Sequence, residues 1–318
     1  MSKKNKGAIL LAAAAGLGLA IVAVYVFAPS LALKAIYEGY QLRSGVSERS
    51  ATLPDGETVS YFEGGVRGAP VLVLVHGFGD SRNSFVQSAR WMSDGHHLIL
   101  PEMRGFGDSP RDPSRKHSIR AQVERLDAFL SAPGVLPDPS RPVVLVGNSM
   151  GGHVSAAYAL AHPERVRALV LLSPAGLRVD DPVPYHDVER AIESEADFDA
   201  YMDKLFFKKP WIPAPFRADF IAKSKEGFAW LQRIRGEIRG GEDYVLNDRI
   251  RAIRAPTLIV WGEHDGIVRP VHAALWNRDI PGSRLIRLED AGHSPQYEMP
   301  ERTARLILEF LEGLPRAA

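Results

Sequence analysis

The chain has 318 residues, of which 45% are hydrophobic and 24% are charged, as is usual for a globular protein. Its 39 lysines and arginines nearly balance 38 aspartates and glutamates, so the net charge of +1 lacks the basic excess typical of nucleic-acid-binding proteins. The absence of cysteine excludes disulfides, thiolate metal sites and a cysteine nucleophile.

The N-terminus carries a long apolar segment. Residues 7–28 contain no charged side chain and follow Lys3, Lys4 and Lys6. As a helix, this segment would be roughly 33 Å long, enough to cross a hydrocarbon core of about 30 Å, and it exceeds the usual apolar region of a signal peptide. The pattern predicts an uncleaved membrane anchor over residues 1–29, with the body of the protein on the non-cytoplasmic face, periplasmic or extracellular. Secretion after signal-peptide cleavage is the alternative.

The rest of the chain alternates between strand and helix patterns. Residues 30–46 are interpreted as a connector, and a hairpin is predicted between residues 48 and 63. Apolar, β-branched runs then predict strands over 71–75, 97–100, 143–146, 168–172, 257–261 and 284–288. Helical patterns lie between them, notably over 119–130, 150–161 and 300–311. This alternation predicts an α/β fold with a mostly parallel, doubly wound sheet.

One insertion interrupts the alternation. Residues 177–250 contain helical patterns but no buried strand, so they predict a helical cap, or lid, between two parts of an α/β core, 47–176 and 251–318. Open α/β sheets bind ligands at the carboxyl ends of their strands, where this lid would lie. Its aromatic side chains are candidates for an acyl pocket, with docking of lid onto core as the alternative: Phe206, Phe207, Trp211 and Phe216. Lys208 and Lys209 also permit contact with lipid head groups.

A motif at the end of the strand 143–146 points to chemistry. Residues 147–152 are Gly-Asn-Ser-Met-Gly-Gly, and a helical pattern follows. Gly-x-Ser-x-Gly between a buried strand and a helix is typical of a nucleophile elbow, a sharp turn that exposes the serine hydroxyl. Gly147 and Gly151 leave room for this turn around Ser149. The main-chain N–H of Met150, at the helix N-terminus, would then donate to an oxyanion.

A serine hydroxyl is a weak nucleophile unless a base accepts its proton. Among ten histidines, His293 follows a predicted strand and precedes the last helical pattern, which places it at the same sheet edge as Ser149. His76 is interpreted as a structural residue of the loop in which the N–H of Phe78 is the second oxyanion donor. The other histidines lack such a context.

The base in turn needs a carboxylate to orient it and to stabilise the imidazolium ion. Asp265 follows the strand 257–261 and is the best candidate, while Glu263 and His264 on the same loop are weaker ones. The chain order Ser149, Asp265, His293 is the order of an α/β-hydrolase triad.

Residues 47–312 resemble the α/β-hydrolase superfamily with a helical lid. The resemblance is carried by five segments: His-Gly-Phe-Gly at 76–79, Arg-Gly-Phe-Gly-Asp-Ser at 104–109, Gly-Asn-Ser-Met-Gly-Gly at 147–152, Trp-Gly-Glu-His-Asp at 261–265 and Ala-Gly-His at 291–293. The anchor, the elbow and the Phe-rich lid are similar to those of membrane-anchored monoacylglycerol lipases of the ABHD type and of related bacterial lipases and esterases. The chain departs from the family at Glu102, where relatives usually carry Asp, a position that shapes a turn.

This resemblance implies a serine hydrolase that cleaves carboxylic esters of fatty acids through an acyl-enzyme. No metal or organic cofactor is expected, and the expected partners are a lipid or small ester substrate and membrane lipid around residues 7–28. Two alternatives stay open. C–C bond hydrolases of aromatic-ring catabolism share this elbow and triad, and some members of the fold only bind ligands. Dehalogenases and epoxide hydrolases carry Asp where this chain has Ser149, and are disfavoured.

Overall fold

A computed structural model describes residues 23–179, 190–241 and 245–315. Most of the predicted anchor, residues 7–22, lies outside the described residues. Within the described ranges, no helix has both the length and the apolar character that a bilayer crossing requires.

Eight strands form one sheet. They are β1 (Val46–Thr52), β2 (Thr58–Gly65), β3 (Val71–Val75), β4 (His97–Pro101), β5 (Val143–Asn148), β6 (Val166–Leu172), β7 (Thr257–Gly262) and β8 (Arg284–Leu288). Their order across the sheet is β1-β2-β4-β3-β5-β6-β7-β8. β1 pairs antiparallel with β2, and β2 pairs antiparallel with β4, whereas all other neighbours are parallel. The predicted mostly parallel sheet is therefore confirmed.

The central strands are apolar throughout because both faces of the sheet are covered. Val73, Val75 and Leu145 belong to one buried cluster, and their neighbours Leu72 and Leu74 belong to another. Side chains of consecutive strand residues point to opposite faces, so an uninterrupted apolar run fills both clusters. The carboxyl ends of β3, β5, β6 and β7 consequently lie along one edge of a well-packed sheet.

Helices cover the sheet and also occupy the segment predicted to be a lid. They are α1 (Pro29–Ser44), α2 (Val86–Ala89), α3 (Ile119–Ser131), α4 (Met150–Ala161), α5 (Glu195–Leu205), α6 (Ala214–Arg239), α7 (Val271–Asp279), α8 (Pro295–Glu298) and α9 (Pro300–Glu312). The helices α5 and α6 are the described helices of the predicted insertion. A capping box at Ser194 and Asp197 begins α5.

The helix α1 occupies most of the predicted connector, residues 30–46. Pro29 stands at its first turn, and Gly45 ends it with a φ of +64°, a conformation that glycine adopts without steric cost. The helix is held to the core by the Ser44 hydroxyl, which donates to the carbonyl of Val86 at 2.6 Å. Near its other end, the Ser30 hydroxyl donates to Asp219 of α6 at 2.7 Å. Thus α1 connects the core to the lid.

Candidate active site

Ser149 lies in the sharp turn between β5 and α4. Its φ of +55° and ψ of −119° place it in a backbone conformation that costs a non-glycine residue about 1–3 kcal/mol. Main-chain hydrogen bonds hold this conformation: the N–H of Ser149 donates to Leu172, and its carbonyl accepts from His153 and from Ala175, all at 3.0 Å. This is the geometry expected of a nucleophile elbow.

The glycines of the motif are required by close backbone approaches. A Cβ atom at Gly147 would lie 2.3 Å from the carbonyl oxygen of Gly151, and one at Gly151 would lie 2.1 Å from that of Val75. Both distances are shorter than any tolerable contact, so side chains at these positions would force the turn open. The α4 helix can therefore start immediately beside β3 and β5.

His293 and Asp265 form a buried pair at the same edge. The Nδ1 atom of His293 lies 2.8 Å from Oδ2 of Asp265, whose side chain is fully buried. The other carboxylate oxygen, Oδ1, accepts the N–H groups of Ile267 and Val268, each at 2.9 Å. With both oxygens engaged, the carboxylate is fixed, and it holds the imidazole with Nε2 free to meet a proton donor.

The loop that carries His293 is attached to the elbow strand. The Asn148 side chain donates one hydrogen bond to the carbonyl of His293 and another to that of Leu172, both at 3.0 Å. Among the described residues, no hydrogen bond joins the Ser149 hydroxyl to the His293 ring. Catalytic hydrogen bonds are often long without substrate and tighten when it binds, so this geometry is compatible with a triad.

The loop after β3 passes beside Ser149. A Cβ atom at Gly77 would lie 3.3 Å from the Cβ atom of Ser149, so the main chain of residues 76–79 borders the elbow. In the described part of the chain, the N–H groups of Phe78 and Met150 donate to no other residue. An oxyanion hole requires unpaired N–H groups beside the serine hydroxyl, and this role of Phe78 and Met150 stays a prediction.

His76 has a structural environment, in keeping with its interpretation from the sequence. Its Nδ1 lies 2.8 Å from the carbonyl of Gly77, and its Nε2 lies 3.0 Å both from the N–H of Met103 and from Oε1 of Glu102. Burial alone would lower the pKa of His76, but the hydrogen bond and charge of Glu102 raise it overall. Glu102 also accepts the N–H groups of Arg82 and Asp108, so it organises the turns around it.

The lid is fastened to the loops that carry His293 and Asp265. The N–H of His293 donates to the carbonyl of Leu205 at 2.7 Å. The Glu298 carboxylate accepts the N–H groups of Gly292 and Phe207, both at 2.7 Å. Burial raises the pKa of Glu298, although these two hydrogen bonds oppose the shift. The end of α5 therefore lies directly over the acid and base loops.

The four aromatic candidates of the lid occupy different environments. Phe206 is half-buried and packs against the cluster of Phe198 and Met202, and Phe207 stacks on the ring of His264 at 4.1 Å. Trp211 is 86% exposed and lines a cavity of about 460 Å³. Phe216 meets the ring of Tyr25 edge-on at 5.5 Å. The first two lie beside the acid and base loops, whereas the last two face the N-terminal segment, and the acyl-pocket role stays a prediction.

Sequence reasoning did not identify the polar side chains that connect the site. Gln296 donates to Asn148 and to Ser84, at 3.1 and 3.2 Å, and Glu298 joins the lid to the His293 loop. The only sequence signal was their proximity to His293.

In the ranges that the structure describes, no group of three His, Asp or Glu side chains is arranged to hold a metal ion.

Comparisons with known proteins identify the family to which the fold belongs. A model of the alpha/beta hydrolase fold family matches residues 70–300. "Lipase 1" of Psychrobacter immobilis is 32% identical over 269 residues, covering 82% of this chain and 83% of the lipase. "Monoacylglycerol lipase ABHD6" of Mus musculus is 26% identical over 310 residues, with 93% and 91% coverage.

The fold also resembles the crystal structure of "a membrane phospholipase A, a novel bacterial virulence factor", with a TM-score of 0.84 and 30% sequence identity. The alignment covers 100% of both chains. The chain therefore belongs to the α/β-hydrolase family, as its motifs predicted.

Proposed function

We propose that this protein is a serine hydrolase that cleaves carboxylic esters of fatty acids, with Ser149 as nucleophile, His293 as base and Asp265 as the carboxylate. The observation that carries the proposal is the buried His293–Asp265 pair at 2.8 Å, beside an elbow that presents Ser149 at a φ of +55°. The lipase relatives support a carboxylic ester hydrolase. A monoacylglycerol or a similar single-chain ester is the proposed substrate.

In the proposed mechanism, Nε2 of His293 accepts the proton of Ser149 as Oγ attacks the ester carbonyl. The Nδ1–H group donates to Asp265, which stabilises the imidazolium ion as it forms. The oxyanion accepts the N–H groups of Phe78 and Met150, each contributing about 3 kcal/mol to the transition state. The intermediate then collapses to an acyl-enzyme, and the imidazolium proton passes to the leaving alcohol.

Deacylation follows the same path in reverse. His293 takes a proton from water, the hydroxide attacks the acyl carbon, and the second intermediate releases the fatty acid while Ser149 regains its proton. Both intermediates use the same two N–H donors. The buried Asp265 carboxylate keeps its two N–H partners throughout, so no rearrangement of the acid loop is required.

A location at a membrane is part of the proposal. Residues 7–28 form the anchor, with three lysines on the cytoplasmic side and the catalytic domain on the non-cytoplasmic face. The apolar segment leads into α1, which contacts the lid through Ser30 and Asp219. Phe27, just before α1, and Trp211, in the predicted lid, are 85% and 86% exposed. Such an arrangement would bring the lid to the surface from which a lipid ester enters.

A substrate panel tests the proposed activity. Detergent-solubilised full-length protein is assayed on a monoacylglycerol, on p-nitrophenyl esters of increasing chain length and on a ring-cleavage dienoate. Hydrolysis of the esters that is lost in Ser149→Ala supports the proposal. Turnover of the dienoate alone would instead assign the protein to the C–C bond hydrolases, and the absence of all turnover would favour a ligand-binding role.

A further inference from the structure

Two half-buried polar side chains lie next to the proposed triad and join two of its loops. Tyr297 is on α8, just after His293, and its hydroxyl donates to Oδ1 of Asp80 at 3.1 Å. Asp80 directly follows the oxyanion segment 76–79, and the same oxygen accepts the N–H of Ser81 at 2.8 Å. One hydrogen bond between side chains therefore links the loop of the base to the loop of the oxyanion hole.

The acceptor of this hydrogen bond lies in a perturbed environment. Burial raises the pKa of Asp80, although the hydrogen bonds from Ser81 and Tyr297 oppose the shift. The proposed chemistry uses neither Asp80 nor Tyr297 directly.

Relative placement of the two loops matters for ester hydrolysis. The oxyanion donors must lie about 2.7–3.1 Å from the reacting oxygen while the base reaches the serine, and a misplacement of about 1 Å can cost 100-fold in rate. Asn148 and Gln296 already join the elbow to the His293 loop. The hydrogen bond between Tyr297 and Asp80 connects the His293 loop to the oxyanion segment.

We propose that Asp80 and Tyr297 are positioning residues, which hold the N–H of Phe78 and the ring of His293 in register. The inference rests on the proposed serine hydrolase function. A purely structural role would affect stability without affecting the rate of acylation.

The test compares Tyr297→Phe with Tyr158→Phe in the full-length protein. Tyr158 is a matched control because its hydroxyl also donates to an aspartate, Asp127 at 2.9 Å, at a distance from the proposed site. Tyr297→Phe is expected to lower kcat and the rate of fluorophosphonate labelling about tenfold, with KM within about twofold of wild type. Tyr158→Phe should leave both rates within about twofold at a comparable loss of thermal stability.

Further variants probe the coupling. Asp80→Ala removes the acceptor and alone should resemble Tyr297→Phe, and the double variant should be no slower than either single one, because each removes the same connection. Additive effects of Asp80→Ala and Tyr297→Phe, or equal kcat values for Tyr297→Phe and Tyr158→Phe, would overturn the inference. If the wild-type protein did not hydrolyse esters, the proposed function itself would be refuted. Failure of the proposed function is therefore distinguishable from failure of the positioning role.

Discussion

Replacement of Asp265 by asparagine tests the role of the buried carboxylate most informatively. The substitution keeps the shape of the side chain, but an amide can accept the two N–H groups of Ile267 and Val268 only through its oxygen. Its NH₂ group then faces Nδ1 of His293, which lies 2.8 Å from Oδ2 in the wild-type protein. The neutral imidazole would then carry its proton on Nε2 rather than on Nδ1. A protonated Nε2 cannot accept the proton of Ser149.

The expected loss in kcat is about 10⁴-fold, the size of the effect when the corresponding aspartate of a well-studied Ser-His-Asp protease becomes asparagine. At 1.36 kcal/mol for each factor of ten, this equals about 5 kcal/mol of transition-state stabilisation. KM should change little, because the carboxylate lies behind the imidazole and contacts no substrate. The free energy of unfolding should fall by no more than about 2 kcal/mol, since the two main-chain hydrogen bonds to the side chain are retained.

The assay is steady-state hydrolysis of a p-nitrophenyl ester, with urea unfolding as the measure of stability. Glu263→Gln is the matched control: Glu263 lies on the same loop, and its carboxylate pairs at 3.1 Å with Arg287 on the surface. That variant should retain full activity. An Asp265→Asn enzyme within tenfold of wild-type kcat, or a larger loss in Glu263→Gln, would refute the assignment of the acid.

Three further predictions concern the turn, the core and the lid. Gly151→Ala places a Cβ atom 2.1 Å from the carbonyl of Val75 and should cost at least about 3 kcal/mol in urea unfolding; unchanged stability would contradict the close approach. Burial would raise the pKa of Glu57, but two arginines, including Arg125 at 2.5 Å, lower it below 4.5. The stability that its charge contributes should therefore be complete well above pH 4.5 and lost progressively as the pH falls through the lowered pKa, so Glu57→Gln should cost about 3 kcal/mol at pH 7 and less in acid. Trp211→Ser should lower turnover of a monoacylglycerol in vesicles about fivefold and leave turnover of a dispersed short-chain ester unchanged, whereas equal effects on both would argue against a membrane contact.

The sheet and the loops at its edge were predictable because their signals are local. The strand 71–75 and the helix 150–161 have the predicted bounds, since buried parallel strands need continuous apolar, β-branched runs and the elbow marks where a helix starts. The positions of Asp265 and His293 followed from the strands before them. Their pairing at 2.8 Å follows from the topology, which brings the carboxyl ends of β7 and β8 side by side.

The contacts between distant segments were not predictable. The helix α1 was interpreted only as a connector, although Pro29 and Gly45 mark its two ends, because its apolar residues form no clear stripe. The bond between Asp80 and Tyr297 joins residues that are 217 positions apart, and no local pattern encodes such a pairing. The same holds for the lid, where Trp211 and Phe207 look equivalent in sequence but differ in exposure, 86% against 39%.

The central claim is that Ser149 becomes acylated. The most direct measurement is mass spectrometry of the full-length protein after reaction with a fluorophosphonate, followed by peptide mapping. The account predicts one adduct, on the peptide that contains Ser149, which forms slowly in His293→Ala and not at all in Ser149→Ala. An enzyme that hydrolyses esters while its adduct maps to another residue, or forms equally fast in Ser149→Ala, would contradict it.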